Sequence, residues 1–249
     1  MLRRFIADAY ALHESSALFT VMRASLWAGM NLRDPSSRLP GRQSPVPWPT
    51  AEPVDPVWHA RADRLVARLR RVGAGRLAPV AGQQFPDLVL PDATGRLTSL
   101  SELCRDGPIV LSVHRGLWCP WCRAELESWQ AALPLLAESG CRLVVVTPET
   151  NGRAAAMAAL VGRQAQVLCD VDFGASAALG LAHFLGVDLV AEYARDGLDL
   201  AEHYGAASGV LPIPATFVIE VGMRVRFAHV DVDFRRRADP AQVIASLRF

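Results

Sequence analysis

The 249 residues carry 26 Lys+Arg against 25 Asp+Glu, a formal net charge of +1, and are 51% hydrophobic. So even a balance excludes a strongly basic nucleic-acid binder or an acidic disordered tail as a reading of the whole chain, and the apolar share can build a substantial core. All the basic residues are arginine, which excludes lysine-based Schiff-base and P-loop chemistry, and no apolar run approaches the roughly 18 residues of a membrane span.

Asp8 and Glu14 interrupt the first stretch, so no signal peptide is expected. A helical patch is expected around Ala17–Met30. Seven of the seventeen prolines then fall between Pro35 and Pro56, which predicts an extended linker and assigns residues 1–55 to an N-terminal extension. Asp55-Pro56 offers an N-cap followed by proline at the first turn. Trp58, Ala62, Leu65, Leu69 and Val72 recur at spacings of 4, 3, 4 and 3, predicting an amphipathic helix over 56–72 that docks on the main domain.

Beyond residue 79 strands and helices alternate. Strands are expected at Leu88–Leu90, Ile109–Val113, Arg142–Val146, Ala215–Glu220 and Arg224–Val230. Helices are expected at Ser99–Cys104, Pro120–Ala137, Arg153–Val161, Gly174–Leu181 and Pro240–Leu247. The pattern predicts an α/β domain over 56–249 with a partly parallel sheet, closed by an antiparallel hairpin and a helix. That is the order of a thioredoxin-like fold, with 182–212 as an insertion before the hairpin.

The five cysteines, Cys104, Cys119, Cys122, Cys141 and Cys169, are too sparse for a disulfide-stapled secreted scaffold, so a reducing cytoplasm is expected. Cys119-Pro120-Trp121-Cys122 follows a strand, and Cys122, Leu126, Trp129, Leu133 and Leu136 continue at helical spacing. The motif therefore opens a helix, with Cys119 at the positive end of its dipole. That setting favours thiolate and predicts Cys119 as the more acidic thiol, with His114 and Arg115 adding positive potential. A redox dithiol, half of a zinc site and a structural pair are the three readings. No second C-x-x-C or H-x-x-x-H completes a tetrahedral metal site, so no metal and no cofactor are expected. Cys104, Cys141 and Cys169 read as small core hydrophobes, Trp129 as core, and Trp118 and Trp121 as an apolar rim.

Residues 79–249 resemble the AhpC/TSA peroxiredoxin-like branch of the thioredoxin superfamily. The resemblance rests on Phe85-Pro86-Asp87-Leu88-Val89-Leu90-Pro91-Asp92 with Gly95, on Arg115-Gly116-Leu117-Trp118-Cys119-Pro120-Trp121-Cys122, and on Val146-Thr147-Pro148-Glu149. It continues through Leu211-Pro212-Ile213-Pro214-Ala215-Thr216-Phe217 and Val230-Asp231-Val232-Asp233-Phe234 with the arginines that follow. It implies a thiol-dependent peroxidase in which Cys119 becomes a sulfenic acid and Cys122 resolves it as a disulfide. Arg115, Trp118, Pro214 and Arg237 would bind or activate substrate, and a thioredoxin-type fold would place a cis peptide bond before Pro214, against the dithiol. A threonine is expected three residues before the peroxidatic cysteine and a glutamate three after; counted from Cys119, those positions hold Gly116 and Cys122. The alternatives are a thiol–disulfide oxidoreductase of thioredoxin or glutaredoxin type and a non-catalytic interaction module. Expected partners are a peroxide or disulfide substrate and a thioredoxin- or glutaredoxin-like reductant, with an oligomer allowed and neither nucleic acid nor membrane involved.

Overall fold

The computed structural model describes residues 56–150, 152–205 and 209–248; the expectations for the helical patch and the proline-rich linker lie outside them. The first element is helix α1 (Pro56–Arg71), which buries Ala62, Leu65, Val66 and Leu69 along one face, as its spacing predicts. A short antiparallel pair follows, β1 (Val89–Pro91) and β2 (Leu97–Ser99). Helix α2 (Leu100–Leu103) starts on a capping box in which Ser99 and Glu102 satisfy each other's backbone N–H groups.

The central sheet contains β3 (Ile109–Val113), β4 (Arg142–Thr147), β5 (Ala165–Cys169), β8 (Ala215–Ile219) and β9 (Val225–Val230), in the order β5-β4-β3-β8-β9. β3, β4 and β5 are parallel, β8 runs antiparallel to β3, and β9 antiparallel to β8. Helices α3 (Pro120–Glu138) and α4 (Arg153–Val161) make the parallel crossovers. This is the thioredoxin-like arrangement expected from the order of elements.

Side chains alternate across the sheet. Ile109, Leu111, Val113, Val144, Val146 and Phe217 pack in one cluster with Phe85 and Leu100. Val110, Leu143, Val145 and Val218 pack in another, with Leu126 and Trp129 of α3 and Met157 of α4. The closing helix α8 (Pro240–Ala245), capped by Asp239, adds Val243 and Ile244 to that second layer.

Segment 182–212, expected as an insertion, is folded. Its ends pair as strands β6 (Ala182–Phe184) and β7 (Val210–Pro212), and between them lie helices α6 (Val187–Arg195) and α7 (Leu200–Tyr204). Upstream, a short helix α5 (Gly174–Ala178) is held by Asp170, whose carboxylate accepts the Ala175 and Ser176 N–H groups. Tyr193, Leu198, Leu200 and Tyr204 of the excursion join Ala62, Leu65 and Leu69 of α1 in a third apolar cluster. Cys119 and Cys122 lie inside it.

Two expectations need correction. β5 escaped the sequence pattern because Ala165 and Gln166 dilute its apolar run, yet it forms the parallel edge of the sheet. The peptide bond before Pro214 is trans, as are all those described. Ile213 donates its N–H to Leu181 O at 2.8 Å, continuing the extended β6–β7 pairing, so the chain enters β8 without a reversal at the proline.

Candidate functional site

The site is built where β3 and β8 change from apolar to polar on the face under α3. Ser112 and Thr216 are register partners at those strand ends. Both hydroxyls donate to Glu125 Oε1 of α3, at 3.1 Å and 3.3 Å. Ser112 has one hydrogen to give and a carboxylate can only accept it, so the Ser112 oxygen accepts from His114 Nε2 at 2.9 Å. Arg237 Nη1 donates to Glu125 Oε2 at 2.5 Å. Buried Glu125 thus has a guanidinium and two hydroxyls as partners, as a buried polar group needs.

Cys119 is the N-cap of α3, with Pro120 at the first helical position, and its side chain caps nothing. Cys122 lies in the first turn. The two cysteines are 1% and 0% exposed and carry no disulfide. Positive groups converge on Cys122: Arg237 Nη2 is 3.3 Å from its Sγ and 4.0 Å from that of Cys119. The Arg115 backbone N–H also donates to Cys122 Sγ at 3.3 Å.

These contacts favour Cys122, where the helix dipole favours Cys119. Burial pushes the Cys122 thiol up, but a hydrogen bond from Cys119, the Arg237 charge and His114 outweigh it and hold Cys122 well below the ordinary thiol range. Burial and then the neighbouring Cys122 push Cys119 up, with Arg237 and Arg115 offsetting only part. The helix dipole alone ranked Cys119 first. Both thiols share that dipole within one turn, and Arg237 lies nearer Cys122, at 3.3 Å, than Cys119, at 4.0 Å. Burial lifts the other three thiols, Cys104 to about 11, Cys141 to about 12 and Cys169 to about 11, as expected of packing residues.

The Arg115 guanidinium does not reach the dithiol by hydrogen bond among the described contacts. It stacks on the Phe234 ring at 3.9 Å, donates through Nε to Pro212 O, and leaves Nη2 buried without a partner. Trp118 is buried and hydrogen-bonded, and Trp121 packs edge-on against Phe234, so they are walls of the site. Trp129 is fully buried core. Of the arginine run, Arg235 is tied to Asp233 and Asp63 and Arg236 lies at the surface, which leaves Arg237 facing the sulfurs. Pro214 is buried at the start of β8, beside the strand end from which the dithiol loop departs.

Several residues escaped sequence reasoning. Glu125 had a signal: counted from Cys122, the glutamate three residues on is Glu125, and the hydroxyl-bearing position three residues back is Cys119. Gly116 is then a steric requirement. It sits at φ +134°, and a Cβ there would overlap the carboxyl of Glu149. That carboxylate accepts the Leu117 N–H at 2.8 Å and pairs with His203 Nδ1 at 3.0 Å. The adjacent Tyr204 hydroxyl accepts from Trp118 Nε1 at 2.7 Å. His203 and Tyr204 had no sequence signal because nothing local brings residues of the excursion to a loop more than eighty positions earlier.

Among the described residues no group of His, Cys, Asp and Glu could hold a metal ion, and no helix is long and apolar enough to cross a membrane. The AhpC/TSA family model matches residues 81–228. No curated protein matches the chain. Among solved structures, peroxidoxin BcpB from Mycobacterium tuberculosis is 22% identical, with 68% of this chain and 96% of that one covered at a TM-score of 0.52. Prx3 from Vibrio vulnificus, solved in complex with hydrogen peroxide, is 17% identical, with 68% and 99% covered and a TM-score of 0.55. Peroxiredoxin 6 of Arenicola marina is 12% identical, with 68% and 72% covered and a TM-score of 0.54.

Proposed function

From its membership of the AhpC/TSA family, to which the chain belongs, we propose that this protein is a thiol-dependent peroxidase with Cys122 as the attacking sulfur and Cys119 as the resolving one. The observation that carries this reading is Arg237, whose guanidinium bridges Cys122 Sγ and Glu125 Oε2 inside the buried cluster. A permanent positive charge locked by a carboxylate is prepared for negative charge developing on oxygen, and it needs no rearrangement when the charge arrives.

The Cys122 thiolate attacks the terminal oxygen of a hydroperoxide. The S–O bond forms as the O–O bond breaks, the departing oxygen leaves as an alcohol or water after taking a proton, and Cys122 becomes a sulfenic acid. Cys119 sulfur then displaces that hydroxyl as water and forms the Cys119–Cys122 disulfide. An external dithiol of thioredoxin or glutaredoxin type restores both thiols by exchange. A cytoplasmic setting would keep such a pair reduced between turnovers.

One observation favours this over thiol–disulfide exchange as the main activity: Arg237, fixed by Glu125 beside Cys122 Sγ, is set for negative charge developing on oxygen, which disulfide exchange does not produce. The test is a single-turnover reaction of reduced protein with one equivalent of hydrogen peroxide, trapping the sulfenic acid with a dione in the Cys119→Ser variant. Trapped adduct on Cys122 is expected, with none in Cys122→Ser. Rapid turnover of a small disulfide without peroxide consumption would establish the exchange reading instead.

A further inference from the structure

The Cys122 sulfur accepts from a loop whose two ends meet on one phenol, while Glu149 holds its Leu117 N–H. Residues 115–118 connect β3 to α3. Tyr204 donates its hydroxyl hydrogen to the Arg115 carbonyl at 2.6 Å and accepts the Trp118 indole N–H at 2.7 Å, so a single oxygen ties both ends of the loop. At the same residue, the Arg115 N–H points the other way and donates to Cys122 Sγ at 3.3 Å. The strand side is fixed independently, because the His114 N–H donates to Val146 O at 2.8 Å.

We propose that Tyr204 is a positioning residue for the Cys122 thiolate: it pins the Arg115 backbone whose N–H the sulfur accepts. The assignment rests on the reading of Cys122 as the reacting sulfur. A phenol suits the task because it can accept one hydrogen bond and donate another from the same atom. Its ring is buried against Phe173 and Trp118, which leaves the hydroxyl little freedom to turn away. Burial, followed by the nearby Glu149 charge, holds the phenol well above its ordinary range, so it stays protonated and keeps donating at any pH where the dithiol works. The phenol belongs to the 182–212 excursion, which thereby acts on the sulfur through the Arg115 backbone.

The test is the pH dependence of Cys122 alkylation by iodoacetamide in the reduced protein, located by mass analysis, for wild type and Tyr204→Phe. The variant keeps the ring and loses both bonds. Its midpoint is expected to rise by about one pH unit, so that the rate on the acid side falls about tenfold while the two profiles converge at alkaline pH. Trp118→Phe, which removes only the bond into the phenol, is expected to move the midpoint in the same direction by less. If Tyr204→Phe does not fold, Trp118→Phe decides alone. An unmoved midpoint, or a drop by one factor at every pH, would overturn the proposal, because a purely structural or steric role leaves the profile's shape unchanged. The assay contains no peroxide, so its outcome separates from that of the peroxidase reading. Absent peroxide turnover with a shifted midpoint would sink that reading and leave Tyr204's role standing. Preferential labelling of Cys119 in wild type would remove the premise of both.

Discussion

At the scale of single residues, the dithiol shows how a charge a few ångströms away outranks a dipole shared by both candidates. Arg237 lies closer to Cys122 than to Cys119 and is anchored by Glu125. Replacing it as Arg237→Gln should slow sulfenic acid formation about 10²–10³-fold, the loss expected for one charge-stabilising donor, and should raise the pH at which Cys122 alkylates. Stopped-flow oxidation and the alkylation profile measure the two effects on the same sample. Retained peroxide reactivity would transfer the activating role to another donor, with Arg115 Nη2, buried without a partner, the candidate. The dithiol itself was legible in the sequence, since C-x-x-C at a strand-to-helix junction has few other uses. The frame was not: counting from Cys119 puts Gly116 and Cys122 at the positions that the proposed count from Cys122 gives to Cys119 and Glu125. Arg237 could be singled out by its place in the chain, but its partner, 112 positions earlier, could not.

At the scale of elements, periodicity did well wherever burial is one-sided or complete. The spacing of α1, the apolar runs of β3 and β4, the stripe of α3 and the β8–β9 hairpin all emerged within a residue or two of their observed bounds. The excursion did not: α7 has only five residues, and α6, as long as α4, carries Leu189, Val190 and Tyr193 at a helical spacing that the reading of 182–212 as one insertion passes over. The loop between β3 and α3 carries a testable constraint. Gly116→Ala forces a side chain into a positive φ and onto Glu149, and should cost on the order of 1–3 kcal/mol, read as a shift in the denaturant midpoint. Removing the obstacle with Glu149→Ala should leave only the backbone part, so the double substitution should cost less than the sum of the single ones. Strict additivity would mean that the Glu149 carboxyl does not restrict the position.

At the scale of the whole molecule, the centre was assembled from parts far apart in sequence, and one of those parts sets a pH limit. His183 of β6 is buried, and burial followed by the nearby Arg115 charge holds its imidazole at about 3 against 6.5 for an ordinary one. Between those values the unfolded chain binds a proton that the folded chain refuses. Its contribution to stability is therefore complete above about pH 6.5 and is lost progressively as the pH falls toward 3. His183→Leu should flatten the fall in unfolding free energy across that window, measured by denaturant titration at several pH values. An equally steep fall would assign the acid sensitivity to other groups. The near-total burial of both sulfurs has a kinetic consequence. In the proposed cycle a disulfide at so buried a pair would be beyond a reductant's reach until the surrounding wall gives way, so an internal opening would gate its recycling. Raising the reductant concentration should then speed turnover only up to a plateau. The height of that plateau should be the same for a small dithiol and for a protein one, because it reports how often this molecule opens rather than who is waiting outside.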